Sequence, residues 1–188
     1  TYNLKINSDL GLSAEAECTV PGDSPMNISV DNLTYVKHET SYGDGYVHIY
    51  YTIDFGIAFN DIYGEKNFYR MAGSIKTYMT SSYDGKHYVY HQPLNFPNEY
   101  LTDKGVDGTR IRINETINSN FSNSFSPYDS AFLEIFVYKT DEPYQLYHKS
   151  MDNYNDGENP FSEVTPVFSN VEGGLGIFCS YLYDSTIY

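Results

Sequence analysis

The chain is 188 residues long, with a formal net charge of -14 and a pI near 4.5. Such an acidic balance disfavours a nucleic-acid backbone or an anionic membrane surface, because both require a basic footprint that releases counterions. With 40% hydrophobic residues, 21 Tyr and 11 Phe, the chain has ample apolar surface for a packed core, and its length suits one domain or one domain plus a fragment of another.

In chain order, Tyr2-Asn3-Leu4-Lys5-Ile6 already reads as a strand, and no basic-then-apolar leader precedes it, so the expectation is a mature or truncated chain. No run approaches the roughly 18 apolar residues of a membrane helix. Two or three strands are expected before residue 40. Pro21-Gly22-Asp23-Ser24-Pro25 interrupts them and predicts a boundary, with residues 1–24 as the last hairpin of a preceding domain and 25–188 as the main domain.

From Val47 to Ile57 the odd positions read Val47, Ile49, Tyr51, Ile53, Phe55 and Ile57, with more polar residues between them. A period of two predicts a half-buried antiparallel strand. Similar runs are expected at Asn67–Met79, Lys86–His91, Thr109–Ile117, Ala131–Thr140, Glu163–Ser169 and Leu175–Tyr183. Asp44-Gly45, Asp84-Gly85 and Asp107-Gly108 supply residue pairs that tolerate the positive φ of tight turns. Asn114–Pro127 and Asp152–Pro160 read as exposed loops. Between the strands, Asp141-Glu142-Pro143 gives a helix start, and Tyr144, Tyr147, Met151 and Tyr154 recur at helical spacing. The fold class predicted is all-β, an antiparallel sandwich of immunoglobulin-like or jelly-roll type carrying one short helix.

The chemistry-bearing residues are sparse. His87 and His91 fall on a strand, where four residues span about 13 Å, too far for one zinc ion. Asp152-Asn153-Tyr154-Asn155-Asp156-Gly157-Glu158 is rich in oxygen, but Tyr154 occupies a ligand position of an EF-hand register, so a solvated acidic loop is the favoured reading. Gly173-Gly174-Leu175-Gly176 precedes strand-like residues rather than a helix N-terminus, and reads as a tight turn or bulge. No G-x-S-x-G elbow is present, and neither cysteine has a local base. No catalytic residue, metal ligand or cofactor is therefore assigned and the ligand-binding residues stay unknown; a hydrolase with carboxylates paired in space remains the competing enzyme reading. Tyr on a half-wet strand face suits recognition of flat ligands, yet more simply suits a strand. Cys18 and Cys179 form either a disulfide, worth about 4–5 kcal/mol through loop closure, or two buried thiols.

Near the C-terminus, Asn159-Pro160-Phe161-Ser162-Glu163 and Phe168-Ser169-Asn170-Val171-Glu172-Gly173-Gly174-Leu175-Gly176-Ile177-Phe178 resemble the closing signature of the DUF4249-like surface lipoproteins of Bacteroidetes, a family built on a domain of unknown function. Tyr63-Gly64-Glu65-Lys66-Asn67-Phe68-Tyr69-Arg70 is similar to a strand start of that family. Tyr2–Ile6 and Ala16-Glu17-Cys18-Thr19-Val20-Pro21 resemble the end of its first, immunoglobulin-like domain. The resemblance implies an exported protein at the outer membrane or cell surface, held by a lipidated cysteine that this chain lacks and encoded beside a TonB-dependent receptor. Cys18 and Cys179 depart from the family pattern, and two matched departures favour their pairing. The expected function is a non-enzymatic accessory to nutrient uptake, with a glycan or peptide ligand. An adhesin-like or surface-assembly module is the alternative.

Overall fold

The computed structural model is described for residues 1–42, 47–81, 83–119, 128–155 and 166–188. Its strands are β1 (Tyr2–Asn7), β2 (Ser13–Cys18), β3 (Ser29–Ser41), β4 (Val47–Asn60), β5 (Phe68–Thr80), β6 (His87–Pro93), β7 (Tyr100–Thr102), β8 (Arg110–Ser119), β9 (Tyr128–Thr140) and β10 (Tyr181–Ile187), with one helix, α1 (Glu142–Asn155). Every pairing between these strands is antiparallel. One sheet runs β10-β9-β5-β6, with β7 continuing the β6 edge of β5; a second runs β3-β4-β8. The all-β class expected from the alternation is the class observed.

The two larger sheets bury their facing rows against each other. On β4, Phe55, Ile57 and Phe59 are shut off from solvent, while Tyr51 and Ile53 of the same odd row are half-buried. Tyr69, Met71 and Ile75 of β5 and Leu133, Ile135 and Val137 of β9 form the opposing row. The Phe59 and Tyr69 rings meet edge to face at 5.0 Å. Met26, Val30, Phe96, Ile111 and Ile117 close the core around them.

Two charged side chains interrupt these rows. Lys139 continues the inward row of β9 and is 1% exposed, with Nζ donating at 3.5 Å to the Ser24 carbonyl; burial pushes its pKa down. Glu115 replaces an aliphatic residue in the inward row of β8 and is 4% exposed; among the described residues one of its carboxyl oxygens has no hydrogen-bond partner, while the Asn98 side chain reaches the carboxyl.

Beyond the sandwich, β1 and β2 pair, among the described strands, only with each other. Their hairpin meets the segment before β10 through a bridge between Glu15 and Glu172, with N···O distances of 3.0 and 2.8 Å. Gly173 holds a positive φ of 79° there, and a Cβ on it would fall 2.3 Å from the Ser13 carbonyl oxygen. The chain can follow this path only with glycine at that position.

Asp141 is the N-cap of α1, accepting from the Tyr144 N–H at 3.0 Å. Its second oxygen accepts from the Ser180 N–H at 3.0 Å, and the Thr19 N–H bonds the same carboxylate. One buried carboxylate thus ties the helix, the start of β10 and the end of the hairpin together. α1 seats Tyr144 and Gln145, whereas Tyr154, assigned to its apolar face by the spacing, is exposed.

Several boundaries differ from expectation. The strand foreseen over Glu163–Ser169 is irregular in its described part, 166–169, and the one foreseen over Leu175–Tyr183 starts only at Tyr181. Side chains of Ser169 and Asn170 take the hydrogen bonds that a neighbouring strand would have supplied: Asn170 donates to Phe178 O at 2.7 Å and accepts from its N–H at 2.9 Å, and Ser169 Oγ accepts from the Gly176 N–H at 3.2 Å. The loop expected from Asn114 is instead strand as far as Ser119, where Asn118 and Thr116 bond Thr52 and Asp54 across the outer face of β4. The Asp84-Gly85 turn is present, with Gly85 at φ 69°; Asp44-Gly45 and residues 156–165 lie outside the described residues.

Burial pushes the Glu115 carboxyl above the usual carboxylate range. A carboxyl raised on folding contributes stability at low pH, below its unfolded pKa, and loses it as pH rises through the folded pKa. Glu115→Gln, which cannot ionise, is therefore expected to melt higher than the parent at pH 8 and to lose that advantage toward pH 4. Asp141→Ala leaves several buried donors without an acceptor, so chemical denaturation should show a loss of about 2–4 kcal/mol.

Candidate ligand-binding site

The apolar rows do not stay sealed along their whole length. Toward the end where β4 carries Tyr51 and Ile53, the sheets part around a cavity of about 340 Å³. Its walls are Leu33 and Tyr35 of β3, Tyr51 and Ile53 of β4, Ile75 of β5, Ala131, Phe132 and Leu133 of β9, and Tyr188. The register explains the opening. β10 covers β9 as far as the Ile187–Glu134 pair, and Tyr188 closes on Leu133 through backbone bonds of 2.7 and 2.9 Å. Ala131 and Phe132 lie beyond that cover.

Tyr188 also clasps the second sheet, its hydroxyl accepting from the Val30 N–H at 3.1 Å. Tyr35 and Tyr51 meet edge to face at 6.0 Å, and Tyr35 is 70% exposed, so an aromatic rim borders an aliphatic floor of Ile53, Ile75 and Leu133. The described walls carry no charged side chain. The facing carboxylates that glycoside hydrolysis uses are thus missing from these walls. The volume lies within the range of small-molecule pockets, and the lining suits an apolar group with tyrosine hydroxyls at its edge.

At the opposite end of the rows the chemistry is acidic. Asp61, Asp103 and Asp107 place carboxylate oxygens within 4.8 Å of one another, the grouping among the described residues that could present oxygen ligands to a hard cation. Each is engaged internally. Asp61 accepts from the Tyr69 hydroxyl and, at 2.7 Å, from the Gly108 N–H; Asp103 accepts from the Asn67 N–H at 2.8 Å; Asp107 accepts from the Gly64 N–H at 2.8 Å. The loops 61–67 and 103–109 are clamped reciprocally. Burial followed by Asp61 raises the Tyr69 pKa, so its hydroxyl stays a donor.

A third cluster seats the helix. Arg70 donates to Glu99 and, at 2.8 Å, to the Tyr144 hydroxyl, and its guanidinium lies 5.6 Å from the Tyr100 ring centroid. Burial and then Arg70 push the His148 pKa down, which keeps this neighbour neutral. The charges here pair with one another.

A family model matches residues 1–187. The chain belongs to the family described as "Domain of unknown function (DUF4249)". No curated protein and no solved structure matches it. Within this DUF4249 chain, the described part of the closing signature, 168–178, is a loop locked by Ser169 and Asn170 that receives the β1–β2 hairpin.

The residues singled out by sequence are scattered. His87 and His91 lie on β6, opposite Thr80 and Lys76, and His87 Nδ1 is 3.0 Å from Thr80 Oγ1; neither belongs to the acidic grouping. The acidic stretch from Asp152 straddles the end of α1, and 156–158 lie outside the described residues. Cys18 and Cys179 are free thiols, the first buried and the second half-buried. No sequence signal marks the cavity, whose walls come from four separate strands and Tyr188. Asp61→Ala is expected to strip the Gly108 N–H and the Tyr69 hydroxyl of their acceptor, lowering stability by about 1–3 kcal/mol in urea titration.

Proposed function

We propose that this chain is a non-enzymatic binding module of an exported surface lipoprotein, accessory to nutrient uptake through a TonB-dependent outer-membrane receptor. The observation that carries the binding role is the apolar cavity between the sheets, rimmed by Tyr35, Tyr51 and Tyr188. Family membership and the acidic β composition support the exported setting.

The lining selects between the two ligand classes. A glycan carries a hydroxyl on nearly every carbon and leaves many polar groups unpaired against Ile53, Ile75 and Leu133. A peptide can bury one aliphatic or aromatic side chain in the cavity and keep its backbone at the tyrosine rim. Peptide is therefore the favoured ligand. A thermal-shift series with peptides bearing Leu, Phe or Trp, set against neutral glycans, tests this, since a ligand of the folded state raises the midpoint by mass action. The apolar peptides are expected to raise the midpoint, and Ala131→Trp, which fills the mouth, is expected to abolish the rise. A rise with glycans that persists in Ala131→Trp contradicts the assignment.

A surface-assembly role rests on a different observation. β3 is a 13-residue edge strand on which Leu33, Tyr35 and Val36 are exposed, and such an edge can accept a strand from another chain.

A further inference from the structure

Glu17 and Thr19 flank Cys18, and Phe178 and Ser180 flank Cys179. The Asn170 side-chain nitrogen donates to both Glu17 O, at 3.0 Å, and Phe178 O, at 2.7 Å, so these two carbonyls share one donor. Two residues further along each segment the pairing repeats: Ser180 Oγ donates to Thr19 O at 3.0 Å, and Asp141 gathers the N–H groups of both Thr19 and Ser180. Residues 17–19 and 178–180 therefore run side by side in the same direction. The two cysteines occupy the matching middle positions.

We infer that Cys18 and Cys179, two free thiols in this structure, join on oxidation as a disulfide that staples the β1–β2 hairpin to the sandwich. In the closing step each thiol loses one proton and one electron, the S–S bond forms, and a disulfide-bearing oxidant takes up the electrons and protons to become two thiols. Exchange of this kind needs one of the cysteines as a thiolate. In the folded chain burial and the Asp141 charge push the Cys179 thiol up to about 11, and Cys18 is raised by the same two causes. Both shifts lower the thiolate fraction of the folded, reduced chain and so slow exchange there. A staple of this kind persists in oxidising compartments, so it bears on location without relying on the apolar cavity.

Non-reducing titration is the direct test. Protein refolded with reduced and oxidised glutathione is unfolded in guanidinium without reductant, its thiols are counted with a chromogenic disulfide, and its intact mass is measured. The expected result is no titratable thiol and a mass about two daltons below the reduced chain, from the two hydrogens lost. Reductant should then lower the melting temperature by about 10 °C, while the double variant Cys18→Ala/Cys179→Ala should melt alike with and without it. Two titratable thiols, or a mass showing one glutathione on each cysteine, would overturn the inference.

Discussion

The fold depends on one contact surface: Phe55, Ile57 and Phe59 of β4 packed against Tyr69, Met71 and Ile75 of β5 and Leu133, Ile135 and Val137 of β9. These strands are long enough that the row runs past the sealed core in both directions. At one end it opens into the cavity edged by Tyr35 and Tyr188. At the other it turns polar, with Lys139 buried on the same row as Val137 and the Tyr69 hydroxyl handing the core over to Asp61. The candidate binding site and the acidic clamp are thus two endings of one apolar stripe.

The alternation that builds this stripe is legible in the sequence, because a period of two shows without any knowledge of partners. The N-cap Asp141 is legible too, since capping is local. What the sequence hides is non-local. Glu115 and Lys139 sit on inward positions that charge argues should face water, and only the neighbours that bury them reveal otherwise. β10 begins at Tyr181 rather than near Leu175 because Ser169 and Asn170 satisfy the intervening backbone, and no periodicity records that exchange. Asp61, Asp103 and Asp107 come from two loops joined only by the fold. The cavity has no motif, being the place where β10 ceases to cover β9.

The described part of the family signature, 168–178, anchors the β1–β2 hairpin. Gly173 lets the loop pass against Ser13, and Asn170 grips both the loop and the hairpin. Together with Asp141 these residues fix residues 1–19 on the sandwich through backbone and buried polar bonds rather than through a broad apolar interface. Hydrogen bonds of this kind specify position more strongly than they add stability.

Ligand binding where the sheets part, proposed above, is open to methyl-resolved NMR of the leucine and isoleucine side chains, titrated with a short peptide containing phenylalanine. Saturable shifts are expected at Leu33, Ile53, Ile75 and Leu133, with Ile57 and Ile135 in the sealed core unmoved. Shifts confined to Leu182 and Ile187 of β10, or none at saturating peptide, would contradict it.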